Sequence, residues 1–312
     1  MLHKKNILSL VLVLFVFGQV FSQINTGNIR SSSYKKKDIQ KFKKAGTTYF
    51  QFYEDFGFTK EEYEEVLAKS WKLTPYKVVD SATFYNNYNG QDGFANAYVY
   101  SVVTGRSVAT FPVMDFYSLK ERVKRNGEKK YTRKIIATIY FTLDISGRKN
   151  ATNSPGAFEG DLLNYNLGYL KNMLQAINDF TEKEEEFSIR KDFKNKKKLK
   201  ALKNAPLYIS DRFIYSYNPF KGKAKKKQIT AEELFKSYKY KYEVLDDNVL
   251  NEKILNAKED FYYLMYTQTP GVKVVTVVNG LTGEIIFQEK TNFSYNIKPK
   301  DLKQISNVIS RS

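Results

Sequence analysis

The chain is predicted to be an α+β or α/β protein of two tandem repeated units, each a small mixed sheet with helices packed on it (β-α-β-α-β-β-α). Three observations predict this. A helix followed at once by a strand occurs at residues 58–80 and again at 229–246. Short β-rich runs precede both copies, and aromatic, β-branched runs separated by Asn-Gly and Pro-Gly turns follow them. Each copy closes in a helical pattern.

In the first copy Thr59 is suited to cap a helix, with Glu62 three residues on to complete a capping box and Phe58 and Tyr63 placed as a hydrophobic staple. Tyr63, Val66, Leu67, Ser70 and Trp71 then fall on one helical face. Pro75 stops the helix, and Tyr76, Val78 and Val79 favour a strand. The second copy uses Ile229, Thr230, Glu233 and Leu234 in the same roles. Tyr238 stands where Trp71 does and Tyr242 where Tyr76 does, so Trp71, Tyr76, Tyr238 and Tyr242 are the repeat's anchors. Any two amphipathic helices share a periodicity, but cap, staple, aromatic and strand in one order argue for duplication. Farther on, 97–103 is matched with 261–267, and 139–147 with 275–283.

Residues 1–22 read as a secretory signal: Lys4 and Lys5, an apolar core of 15 positions from Ile7 to Phe21, and a small-residue site ending at Ser22. The core is shorter than the roughly 18 residues of a membrane span. Export to the periplasm or beyond after cleavage is therefore expected over retention as an anchor. No cysteine exists to carry a lipoprotein's lipid.

Residues 23–42 are expected to form a flexible basic lead-in, 43–180 unit one, 181–203 a charged solvated connector and 204–312 unit two. Residues 105–132 have no apparent counterpart in unit two and read as a hairpin insertion, the first place to seek a binding surface. Residues 161–180 read as a helix apolar on two sides, suited to lie against both units or to form an oligomer contact. Asn87, Asn89 and Asp92 supply oxygens in a loop, but its glycines do not fit a calcium-binding loop and Asn-Gly reads as a turn.

The composition excludes much. The chain lacks Cys, and its single His, His3, lies in the signal. An exported product would have no imidazole base, no thiol nucleophile and no zinc or copper site of nitrogen and sulfur ligands. Catalysis would rest on paired carboxylates or a Ser–Lys pair, yet most candidate acids sit in first helical turns, where the helix dipole explains them. No glycine-rich phosphate loop is present. Catalytic residues, cofactor and metal are all assigned as none, with a carboxylate-based hydrolase the third reading.

The net charge is +18. Lys124, Arg125, Lys129, Lys130, Lys196, Lys197, Lys198, Lys225, Lys226 and Lys227 form three basic clusters able to meet an anionic polymer or lipid headgroups. Nucleic acid is disfavoured, because 9 of the 51 basic residues are arginine, the residue suited to bidentate phosphate recognition. Tyrosines 98, 100, 262, 263 and 266 alternate with apolar residues and fit a half-buried sheet better than a stacking surface.

The repeated signature, with Trp71 or Tyr238 closing a helix and Tyr76 or Tyr242 opening the strand, loosely resembles the TolB amino-terminal type of α/β domain in exported proteins of Gram-negative bacteria. The resemblance covers both units through structural motifs, and the insertion departs from it. It implies a periplasmic domain contacting envelope proteins and carries over no functional residue. The expected function is thus a non-catalytic exported binding or assembly protein, with a lysine-rich module for anionic surfaces as the alternative.

Overall fold

The computed structural model describes residues 24–26, 35–54, 57–104, 107–144, 161–187, 191–218, 223–269 and 272–312, and side chains outside 24–26 and 100–111. The expected signal at 1–22 and the Pro-Gly turn at 270–271 lie outside the described residues.

The class is mixed α and β, as the sequence predicts. The first half runs β1 (Ile24–Thr26), α1 (Lys36–Lys43), β2 (Thr48–Gln51), α2 (Lys60–Ser70), β3 (Tyr76–Val79), α3 (Ser81–Asn86), β4 (Gly93–Thr104), β5 (Ser107–Val123), β6 (Lys129–Tyr140) and α4 (Leu167–Glu182). The second runs β7 (Phe193–Lys194), α5 (Lys196–Leu199) with a 3-10 turn (Lys200–Lys203), β8 (Leu207–Ser210), a ribbon β9 (Tyr217–Asn218) and β10 (Lys223–Ala224), α6 (Ala231–Phe235), β11 (Tyr242–Leu245), α7 (Asp247–Leu255), β12 (Tyr262–Thr269), β13 (Val272–Asn279), β14 (Ile285–Asn292) and α8 (Pro299–Ser310).

Each half carries one six-stranded sheet, ordered β3-β2-β4-β5-β6-β1 and β11-β8-β12-β13-β14-β7. Strand registers correspond. Thr48 lies beside Tyr76 and Gly93 in parallel pairs, as Leu207 lies beside Tyr242 and Tyr262. Both sheets interrupt the same antiparallel pair. Phe116 and Tyr117 face Ala137 and Ile135, skipping Ile136; Val277 and Val278 face Phe287 and Ile285, skipping Ile286. The register therefore equates Ile135-Ile136 with Ile285-Ile286, and the expected match of 139–147 with 275–283 is off by a strand.

The local signals that define the first helices are realised. Thr59 and Glu62 close a capping box, as do Thr230 and Glu233. Phe58 stacks on Tyr63 at 5.9 Å. Trp71 is buried edge-on to Phe50 at 5.1 Å and stacked on Phe116 at 5.5 Å. Tyr76 meets Phe50, Tyr238 meets Phe235, and Tyr242 stacks on Phe235 at 3.9 Å.

Other expectations need correction. Within the lead-in 23–42, β1 extends the first sheet at its β6 edge, and α1 buries Ile39 and Phe42. An i, i+3 apolar pair outweighs the surrounding lysines, because the lysines keep to the solvent side. The connector 181–203 behaves likewise: β7 pairs with β14, and Leu199 and Leu202 are fully buried. The second sheet thus begins near 193, not 204. Residues 105–132 are not an insertion, since β5 is a central strand equivalent to β13. What lacks a counterpart is the ribbon beyond Ser118, where residues 119–123 pair with 129–133 but no longer with β4.

The helix expected at 161–180 starts at Leu167, capped by Asn166. Leu162 instead bridges Leu143. α4 packs on α2 of its own half and α7 of the other. Its apolar faces are spent within the chain, which removes the reason to expect an oligomer contact there.

Polar bonds fix this junction. Tyr169 donates to Asp247 at 2.9 Å, Asn172 to the Gly280 carbonyl at 3.1 Å, and Tyr263 to Asn172 at 3.0 Å. Lys171 donates to the Ile254 carbonyl at 2.7 Å, putting a cation at the C-terminus of α7. Gly283 sits at φ +72°, and a Cβ there would lie 2.4 Å from the Asn172 carbonyl oxygen. Gly283→Ala is accordingly expected to cost about 2 to 3 kcal/mol by chemical denaturation, from backbone strain and displacement of α4.

Among the described residues no helix is long and apolar enough to cross a membrane.

At one end of the second sheet, buried Lys273 pairs with Asp301 of α8 and donates to the Asn296 carbonyl at 2.9 Å. Nearby Glu289 is pushed up to about 7, first by burial and then by Asp192, while Lys194 and Lys273 pull the other way. A carboxyl raised in the folded state contributes stability that is full below about 4.5 and lost as pH rises through about 7. Glu289→Gln should therefore gain on the wild type by about 1 to 2 kcal/mol between pH 5 and pH 8, after allowance for screening at this half-exposed position. Paired urea melts at the two pH values check this. An equal difference at both would contradict it.

Candidate functional site

Each sheet has two faces, one of which carries the helix that follows the edge strand. On the second sheet this face belongs to α7, where Ser210 donates to Asp247 at 2.7 Å. α4 crosses it, with Tyr169 stacked on Tyr263 at 5.8 Å. On the first sheet the corresponding face belongs to α3, and Gln51 donates to Ser81 at 2.7 Å in the matching place.

Alternation along the strands turns Phe94, Asn96 and Tyr98 of β4, Asp115 and Tyr117 of β5, and Arg133, Ile135 and Thr138 of β6 to this α3 face. Phe84, Phe94, Tyr117, Leu119 and Ile135 make its apolar base, separate from the main core. Beside them lies a buried polar floor. Thr138 donates to Asp115 at 2.6 Å and Tyr98 also donates to Asp115. Buried Asn96 carries a side-chain oxygen with no hydrogen-bond partner among the described residues.

The rim is aromatic and half-exposed. Tyr88 shares a hydroxyl contact of 2.6 Å with Tyr117, and its ring meets Phe94 at 4.8 Å. It thereby stands over Phe94 as Tyr169 stands over Tyr263. Tyr53 reaches Gln51 at 2.6 Å and the Ala97 carbonyl at 2.8 Å. Burial pushes its phenol up to about 12, so it acts as a neutral hydroxyl near neutral pH. Tyr85 stands 51% exposed at the edge.

Arg133 lies between these rings, 4.6 Å from the centre of Tyr117 and 5.6 Å from that of Tyr98. It donates to the Tyr88 hydroxyl at 3.2 Å. Among the described residues it makes no ion pair with a carboxylate. Counting two residues back from the matched isoleucines Ile135 and Ile285 gives Arg133 in one half and Gly283 in the other. Where the second half uses glycine to admit α4, the first presents a guanidinium.

Comparison with protein-family models, with curated proteins and with solved structures finds no match. The site is therefore read from its own chemistry.

The basic residues singled out by sequence stand on three separate elements. Lys124, Arg125, Lys129 and Lys130 occupy the ribbon tip, where Lys124 pairs with Glu128 at 2.7 Å and Lys129 with Glu121 at 3.2 Å. Lys196, Lys197 and Lys198 form α5, and Lys198 pairs with Glu284. Lys225, Lys226 and Lys227 follow the β9–β10 ribbon, with Lys227 3.1 Å from Glu233. No hydrogen bond or ion pair joins one cluster to another among the described residues.

Tyr262, Tyr263 and Tyr266 are core side chains, whereas Tyr98 belongs to the rim; the side chain of Tyr100 lies outside the described residues. Asn89 accepts from the Gln91 and Asp92 amides of its own loop, and Asp92 accepts from the Asn89 side-chain amide and from the Thr47 amide at the start of β2. Sequence reasoning missed Arg133, Tyr53, Tyr88, Asn96 and Asp115. One signal was available, a carboxylate inside the apolar run at 113–117. Arg133 carried none, because it looks like one more cation in a lysine-rich ribbon.

Proposed function

We propose that the protein is an exported, non-catalytic binding or assembly protein of the cell envelope, whose two halves arose by duplication and whose α3 face is the binding surface. One observation carries the reading. The corresponding face of the second half is covered by α4, whereas that of the first carries the six-residue α3 and a half-exposed rim of tyrosines around Arg133. Duplicated halves with one such face taken internally leave the other for a partner. Aromatic side chains with an arginine among them are the residues that dominate binding energy at protein interfaces.

The lysine clusters support a second reading, attachment to an anionic polymer or lipid surface. Lys196, Lys197, Lys225 and Lys226 are exposed and make no ion pair among the described residues. Salt separates the two, since counterion-driven binding weakens steeply with ionic strength and an aromatic interface does not.

The test places a photo-crosslinking amino acid at Tyr85 of the α3 face and, in a second variant, at Phe293, exposed on the second half. A discrete adduct formed in the envelope from Tyr85 and absent from Phe293 is the expected result. Equal labelling from both positions would sink this reading, as would recovery of the chain in the cytosol with residues 1–22 attached.

A further inference from the structure

We infer that the α3 face receives an acidic segment of a partner protein, one carboxylate of which pairs with Arg133; this rests on the binding reading above and names the chemistry of the partner. Arg133 is half-withdrawn from water, and the phenol of Tyr88 is its one hydrogen-bond acceptor among the described residues. A guanidinium presents five N–H donors in a planar fork that matches a carboxylate. Partial desolvation of the cation is offset by tyrosine faces to a small degree and by an acid to a larger one.

The second half shows how such a face is filled. α4 lies on it, Tyr169 gives its hydroxyl to Asp247, and Asp161, just before the helix, pairs with Arg212 at 2.6 Å. The segment that docks thus brings an acid to an arginine of the half that receives it. On the first half Tyr53 stands at the position of Arg212, and the arginine of this face is Arg133, which comes from β6 instead. On the same face of the ribbon Lys129 and Glu121 pair with each other at 3.2 Å, and Lys120, Lys130 and Lys134 stand on the opposite face, so Arg133 is the cation this face leaves without a carboxylate among the described residues.

A second copy of the chain fits poorly. The counterpart of α4 is α8, whose solvent side carries Lys300, Lys303 and Arg311, like-charged with the ribbon.

Calorimetric titration of the full mature chain with poly-L-glutamate, at about 150 mM salt where surface charges are screened beyond roughly 8 Å, tests the assignment. Polygalacturonate and phosphatidylglycerol vesicles serve as the other arms. Arg133→Gln should weaken poly-L-glutamate binding about tenfold, and Arg133→Lys should restore less than half of it, because the charge returns without the fork. The double change Lys225→Gln and Lys226→Gln should alter binding less than about twofold. Absence of poly-L-glutamate binding, no effect of Arg133→Gln, or equal losses against all three polyanions would overturn the inference. If Arg133→Gln does not fold, the Arg133→Lys comparison decides by itself, and full wild-type affinity there would also overturn it. A partner captured from Tyr85 whose adduct survives Arg133→Gln unchanged would defeat this inference and leave the binding surface standing. Absence of any Tyr85 adduct would defeat the surface itself.

Discussion

Lys273→Ala is expected to destabilise the chain by about 3 to 5 kcal/mol, because it strands the Asp301 carboxylate in a site closed to water. Lys273 is fully buried and Asp301 nearly so. The lysine also holds the Asn296 carbonyl, and Asp301 in turn accepts from the Lys298 amide at 2.7 Å at the start of α8. The ammonium therefore ties the closing helix to a central strand. Burial pulls its pKa down and Asp301 opposes this, as for a charge retained because a partner is present. The double change Lys273→Met with Asp301→Leu should recover much of the loss, since a buried ion pair gives little net stability over apolar residues that fill the same space. Urea unfolding of the three variants settles the matter. A single mutant within about 1 kcal/mol of wild type would show that water reaches the pair.

Trp71→Ala should cost a similar amount, about 3 to 5 kcal/mol, through the cavity it opens. The indole lies against Phe42, Phe50 and Phe116, joining α1, β2 and β5, and its N–H donates to Thr74 at 3.1 Å. Thr74 in turn contacts Thr48 at 2.6 Å at the start of β2. Loss of the ring should loosen the first half before the second. Hydrogen exchange would then show protection falling in β2 and α2 ahead of β12 and β13. Uniform loss across both sheets would mean that the halves unfold as one unit through α4.

Much of the fold was legible because it depends on neighbours in sequence. Caps, staples and the proline stop at Pro75 act over a few residues, so Thr59 and Thr230 announce their helices without reference to the rest of the chain. The misreadings arose where local character and tertiary role diverge. Lysine-rich stretches around Ile39, Phe42, Leu199 and Leu202 looked solvated, yet two apolar residues per turn suffice to seat a short helix. β5 resembled an insertion because its outer end runs past β4 as a ribbon, and that polar end obscured a central strand. Arg133 and Tyr88 were illegible for a further reason: their partners lie 45 residues apart, and no periodicity links them.

The amino-acid sequence by itself determined the mixed class, the two helix-strand signatures and the absence of imidazole and thiol chemistry from any product lacking residues 1–22. Those are properties of composition and of contacts within a few residues. Tertiary structure decided which face of each sheet is covered, because the same strand order leaves one face to α4 and the other to Arg133 and its tyrosines. That choice rests on packing between distant segments, where a glycine at 283 admits a helix and an arginine at 133 presents a charge.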